Sequence, residues 1–366
     1  MTTPIIVYGT DCSYYTGKIE AYLKAKGIAY RLEPFTPANM RRCAAHTGIT
    51  QIPQLELSDG SWLIDTTLIM QHYEEALPDR PALRPSDPAA SFIADLIEDF
   101  ADEWLWRPAM HYRWSFAGSA RLMSGWLAEH LTAMPGPQFL KRAYWYRRQL
   151  GVFVRGDGVT PANRTGVEAA YLDSLRALEA VFAERPYVMG TRPCQADFGF
   201  MAPMFRHFLC DPVPGRVMRN DAPGVHEWAA RMWNLSPVKV AAMTPVTELP
   251  RHLEPLLALI ARDYLPYLEA NARAFAAGDK MVASHIGGAP ITEPVKPYRV
   301  WCRDRLHTAF MALTPEDRER VTALCPPGAL MQLAKASSKP VASLIPALPI
   351  KGRVAAKTAD SWWRQG

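Results

Sequence analysis

Four prolines fall within eleven positions, Pro78, Pro81, Pro85 and Pro88 in the stretch LPDRPALRPSDP. A proline removes a backbone donor and clashes with the preceding helical turn, so no helix interior or central strand can run through such a stretch. The chain must therefore fold as separate units on either side. It reads as a semi-rigid linker and places a domain boundary there.

Before the linker, short strands alternate with helices. Ile5 to Tyr8 reads as a strand, Lys18 to Lys26 as a helix stopped by Gly27, and Tyr30 to Glu33 as a second strand, which together make a βαβ unit. Gln54 to Leu57 and Trp62 to Ile64 flank Ser58-Asp59-Gly60-Ser61, a hairpin signature because Asp-Gly tolerates the positive φ of a tight turn. A helix follows from Thr66 to about Leu77. The order βαβ, connecting segment, ββα is that of a thioredoxin-like sheet. Beyond the linker the period is helical: Ala89 to Trp106, Ser119 to His130, Phe139 to Leu150, Gly166 to Glu184, Ala196 to Leu209 and Val225 to Leu235.

The expected fold is thus an α/β thioredoxin-like N-terminal domain over residues 1–80, an all-α domain over 88–248, and a helical, Pro-rich extension over 249–366. The chain is mostly α overall. In the extension, Leu253 to Ala277, Tyr298 to Met311 and Thr314 to Leu324 read as helices, and prolines interrupt the remainder. Its end carries Lys351, Arg353, Lys357, Arg364 and the pair Trp362-Trp363. A cover for the helical domain, a closure of the cleft and a partner site are all compatible with it.

Of 366 residues, 49% are hydrophobic and 21% charged, with a net charge of +5, the balance of an ordinary globular chain. Lysines and arginines form no long blocks, so a nucleic-acid partner is not expected. No apolar run of about 18 residues and no secretory leader pattern occurs, which predicts no membrane span and a cytoplasmic address. Six cysteines lie apart without a CxxC pair; neither a disulfide framework nor a metal site is expected. Only Cys12, in a strand-to-helix turn, has reason to be reactive.

That turn, Tyr8-Gly9-Thr10-Asp11-Cys12-Ser13-Tyr14-Tyr15-Thr16-Gly17-Lys18, offers one thiol and several hydroxyls. In this context the chain resembles the cytosolic glutathione transferase superfamily over about residues 4 to 240. Gln51-Ile52-Pro53-Gln54-Leu55 resembles the family's Val-Pro or Ile-Pro before strand three, where the proline is cis. Asp65-Thr66-Thr67-Leu68-Ile69 is similar to its Glu-Ser-x-Ala-Ile. Arg185-Pro186-Tyr187-Val188-Met189-Gly190 and Ala196-Asp197-Phe198 look like the start of the central helix of its α domain. Asp197 is expected to be structural, with Cys194 a weak cap and Thr191 a substitute.

The resemblance implies glutathione as co-substrate, a small hydrophobic electrophile as acceptor, a homodimer and a role in detoxification. A cis Ile52-Pro53 turns the Ile52 N–H and C=O toward a peptide-like ligand. Asp65 and Thr66 combine a carboxylate and a hydroxyl at a helix start, where unpaired N–H groups favour a ligand carboxylate. Ser13 followed five residues later by Lys18 matches the family's Ser or Cys followed by Arg or Lys, making Ser13 the hydroxyl donor to the glutathione thiolate. Cys12 is the alternative, because Cys-Ser-Tyr-Tyr resembles the glutaredoxin Cys-Pro-Tyr-Cys and implies a thiol oxidoreductase. Tyr8, Tyr14 and Tyr15 are further candidates, and Ser13 can equally serve only as a helix cap. On the acceptor side, Tyr14, Trp104, His111 and Trp114 form an expected apolar wall with one titratable group. The same aromatics serve equally well as core, with Glu103 and Arg107 paired at i,i+4. A non-catalytic scaffold on this fold is a third reading.

Overall fold

The computed structural model describes residues 4–131, 135–341 and 346–354; Lys357, Trp362, Trp363 and Arg364 of the basic tail lie outside the described residues. The N-terminal unit contains β1 (Ile5–Gly9), α1 (Tyr14–Lys26), β2 (Tyr30–Pro34), α2 (Pro37–Thr47), β3 (Gln54–Glu56), β4 (Trp62–Ile64) and α3 (Thr66–Ala76). The sheet order is β2-β1-β3-β4, with β1 parallel to β2 and antiparallel to β3. Helix α1 begins at Tyr14, four residues before the apolar pattern announces it, because Ser13 in extended backbone caps the Thr16 N–H. It ends at Gly27, whose φ of 75° suits glycine. The connecting segment holds α2, capped by Thr36; its polar outer residues hide the helical period.

The helical domain comprises α4 (Pro88–Glu103), α5 (Trp106–Trp114), α6 (Ala117–His130), α7 (Gln138–Gln149), α8 (Arg164–Glu184), α9 (Gln195–Pro203), α10 (Pro212–Asp221), α11 (Pro223–Trp233) and α12 (Pro237–Ala241). The long helix expected from Ala89 through Trp106 breaks at Trp104–Leu105. Pro108 then falls in the first turn of α5, where a missing N–H costs nothing. Asp197 of α9 is fully buried and accepts from the Val188 and Cys194 N–H groups and from Trp228 Nε1, each at 3.0 Å. Thr191 turns its hydroxyl to the Thr244 carbonyl instead.

The extension is ordered against both domains. It contains α13 (Glu254–Leu259), α14 (Leu265–Ala277), a hairpin of β5 (Met281–Ile286) and β6 (Ala289–Pro294), α15 (Pro297–Ala312) and α16 (Pro315–Leu324). The hairpin escapes the sequence reading because prolines 290 and 294 suggest irregular chain, yet both sit on a two-stranded ribbon whose edges are free to lack a donor. Arg107 of α5 and Glu293 of β6 form a buried two-point pair, and Tyr267 of α14 donates to the same carboxylate.

The sheet has two differently covered faces. Val7, Leu55 and Leu63 join the main core with α1, α3 and the helical domain. Tyr8, Trp62 and Ile64 point to the other face and cluster with Phe35, Cys43 and Ile49 around α2. Trp301, Cys302 and Ile350 of the extension complete that second cluster, with Tyr298, Ile52 and Leu68 packed against it. The open edge of β4 is also used: Trp62 and Ile350 exchange both backbone hydrogen bonds, at 2.9 and 2.7 Å. An edge strand is thereby paired instead of exposed.

Candidate functional site

Sheet register brings the three N-terminal motifs to one end. Tyr8 is opposite Gln54, and Gln54 is opposite Ile64. The chain therefore leaves this row as Gly9 to Ser13 after β1, arrives as Ile52-Pro53 before β3, and leaves again as Asp65-Thr66 after β4. The Ile52–Pro53 bond is cis. Ile52 is half-buried, and among the described hydrogen bonds its own N–H and C=O have no partner. Asp65 has φ 68° and ψ 113°, a left-sided conformation that a non-glycine residue adopts only when its surroundings enforce it. Its Oδ1 accepts the Thr67 and Leu68 N–H groups at 3.1 and 3.2 Å, and Thr66 beside it is buried.

Helix α15 reaches this end of the sheet at Asp65 and near Ile52. Tyr298 donates its hydroxyl to Asp65 Oδ2 at 2.7 Å. Trp301 and Cys302 lie on the second sheet face, and the Arg305 guanidinium stands over the Trp301 ring at 4.8 Å. Arg299 pairs with Glu103 and donates to its carbonyl oxygen at 3.0 Å. Burial raises the Asp65 carboxyl, opposed by the Tyr298 hydroxyl and by Arg305; burial also pushes the Tyr298 phenol well up, with Asp65 adding to it. A cleft of about 510 Å³ opens alongside, between α3, α4 and α15, with Gln71, Asp99, Trp301 and Arg305 in its walls.

The turn groups are engaged as follows. Ser13 Oγ accepts the Thr16 N–H at 3.3 Å, its hydroxyl being the α1 cap. Cys12 is half-buried with its sulfur 3.7 Å from Thr10 Oγ1, and its carbonyl accepts from Arg113 at 2.7 Å. Burial raises the Cys12 thiol, and the Arg113 guanidinium only partly offsets it, so this sulfur lacks the depressed pKa of an activated nucleophile. Tyr8 is committed to Glu56 at 2.7 Å and receives Arg42 at 3.0 Å; burial pushes its phenol up to about 12. Lys18 is fully buried, clamped between Glu98 and Asp102. Attraction from both carboxylates outweighs the burial that opposes it and holds the ammonium charged.

The four residues expected to line an acceptor wall are all buried. Tyr14 donates to the Ala101 carbonyl at 2.6 Å. Trp104 packs on Tyr264 and Tyr267, with ring centroids 6.0 and 5.2 Å away. His111 meets Glu168 at 3.0 Å, and burial lowers its pKa; Trp114 is 2% exposed. The six cysteines are free; Cys43, Cys194, Cys302 and Cys325 are buried and Cys210 is exposed. What sequence reading missed is the covering set Tyr298, Trp301, Cys302 and Arg305. Their spacing of i, i+3, i+4 and i+7 within a segment already read as helical was the available signal.

Residues 7–81 match the family described as glutathione S-transferase, N-terminal domain. The match gives residues 7–81 the fold of a glutathione S-transferase N-terminal domain. Among solved structures, the beta-etherase LigF from Sphingobium sp. strain SYK-6 is 20% identical, covering 65% of this chain and 98% of its own, with a TM-score of 0.45. The glutathione transferase GSTFuA2 from Phanerochaete chrysosporium is 17% identical over 63% and 97%, with a TM-score of 0.45. A glutathione S-transferase from Methylobacterium radiotolerans in complex with glutathione sulfonate is 18% identical over 68% and 98%, with a TM-score of 0.39. No curated protein matches the chain. Among the described residues, no helix is long and apolar enough to cross a membrane.

Proposed function

We propose that this chain is a glutathione transferase-like protein whose tripeptide site is closed by its own C-terminal extension. The closed form then acts as a binding module, and thiol chemistry is confined to a form in which α15 has moved aside. The observation that carries this reading is the Tyr298 hydroxyl on Asp65, with Trp301 seated over the same face. Asp65 and Thr66 are the groups that would take the amino-acid end of glutathione. The unpaired backbone of Ile52 suits its peptide portion, and Ser13 stands nearest in sequence to where the sulfur would lie.

Magnitudes favour the closed form. Withdrawing the buried Trp301 and Cys302 and the half-buried Tyr298 from the sheet face costs on the order of 3–6 kcal/mol. A ligand at a hundred times its dissociation constant returns only about 2.7 kcal/mol. Glutathione alone therefore leaves α15 in place, and apparent affinity falls with the small open fraction.

In the open form Ser13 would donate to the thiolate, and a hydrophobic electrophile would react with it. A thiol oxidoreductase through Cys12 is disfavoured by the raised thiol. Calorimetry with glutathione on the full-length chain tests the proposal: the native chain is expected to bind more weakly than about 1 mM, and Tyr298→Ala with Trp301→Ala at least about tenfold more tightly. Tight binding by the native chain, with aryl-halide turnover lost in Ser13→Ala, overturns the closure. Failure of both proteins to bind overturns glutathione as ligand and leaves a non-catalytic scaffold.

A further inference from the structure

Among the described residues, helix α7 is unlike every other long helix, because none of its residues is buried. Phe139 is 68% exposed and Leu140 56%, with Tyr144 and Tyr146 also exposed. From Gln138 to Arg155 the sequence carries Lys141, Arg142, Arg147, Arg148 and Arg155 and no acidic residue. Among the described residues none of these five cations takes part in an ion pair. Helix α6 runs beside it and adds Arg121 and the half-exposed Leu122. The two helices enclose a surface groove of about 680 Å³, into which Glu129 brings the one carboxylate.

We propose that α7, with the turn after it, is a docking surface for an anionic lipid bilayer, lying in the headgroup plane. Arg142 donates to the Arg121 carbonyl and Arg148 to Gln149, neutral partners that leave the charges uncompensated. Such cations interleaved with exposed aromatic and aliphatic side chains are the composition of an interfacial helix: the ammonium and guanidinium groups reach phosphates while the apolar groups enter the acyl boundary. A second copy of the chain is a poor occupant, because a two-fold contact sets the same cations against one another. Nucleic acid would satisfy the charge and stack on the tyrosines, but gives Leu122, Leu140 and Val152 nothing to bury against. The anionic bilayer is the partner that uses both halves of the surface. Binding is peripheral and electrostatic in reach, so salt that shortens the Debye length weakens it.

The test is sedimentation of the full-length chain with vesicles of phosphatidylcholine alone or mixed with phosphatidylglycerol. Binding is expected on the mixed vesicles only and should fall as salt is raised. Replacing Arg142, Arg147 and Arg148 together by Ala is expected to weaken it about 100-fold, at about fivefold per cation. Phe139→Ser with Leu140→Ser is expected to weaken it at unchanged charge. All five side chains are exposed, and circular dichroism melting checks that each variant folds as the native chain does. Absence of binding at low salt, or equal binding to neutral vesicles, overturns the proposal. So does an unaltered Phe139→Ser/Leu140→Ser variant that duplex DNA displaces from the vesicles, which would mark a nucleic-acid surface.

Discussion

Tyr298 and Asp65 are 233 positions apart and share a hydrogen bond of 2.7 Å, joining the extension to the residue that starts α3. The phenol supplies the carboxylate with the donor that solvent or a ligand would otherwise provide. Tyr298→Phe keeps the ring and removes the donor, leaving Asp65 Oδ2 unpaired. The expected loss is about 1–3 kcal/mol of unfolding free energy, read from urea titration. An unchanged midpoint would mean that the contact is not formed in solution.

Lys18 is clamped by Glu98 and Asp102, and Thr67 donates to Glu98 as well. Removing the ammonium leaves two carboxylates in a buried pocket. Lys18→Met should destabilise the chain by about 3–5 kcal/mol. Adding Glu98→Gln and Asp102→Asn should return part of that, because the repulsion disappears with the charges; a triple-variant comparison in the same denaturant assay reads it out.

Burial pushes the Asp99 carboxyl up to about 6, although Tyr264 donates to it. The folded chain therefore holds this proton more tightly than the unfolded chain. The resulting stability is full below about pH 4 and is lost as pH rises through 6. Relative to Asp99→Asn, which has no proton to lose, the native chain should give up about 3 kcal/mol between acid and neutral pH. Unfolding curves of the two proteins at both ends of that window test the sign.

Ser13 caps α1 through the Thr16 N–H. Ser13→Ala should cost about 1 kcal/mol, and Ser13→Gly only a few tenths. If Ser13 also stabilises a thiolate in the open form, the two variants lose activity equally despite this difference in melting. Turnover tracking stability would assign the hydroxyl to the cap alone.

Local chemistry made much of the N-terminal unit readable. Gly27, Asp59-Gly60 and the Asp65 helix start each announce themselves within a few residues and occupy the expected places, while the cis Ile52-Pro53 bond is what the family resemblance implied. Helix α15 was also legible as an element, since Pro297 opens it and the pattern runs to Met311. Its position was not, because the contact of Trp301 with the sheet face, like that of Ile350 with the β4 edge, joins segments more than two hundred residues apart. No local propensity encodes such a pairing. Trp104 and the tryptophans of α5 show the same limit from the other side: their spacing suits a ligand wall and a core equally, and packing on Tyr264 and Tyr267 from the extension helps to bury Trp104.

The two-point pair of Arg107 with Glu293 spans 186 positions and is sealed from water. Shortening the chain before β6 would remove the carboxylate that Arg107 faces and leave its guanidinium unpaired against Trp104. The extension is consequently a keystone: any truncation that removes β6 has to neutralise Arg107 first.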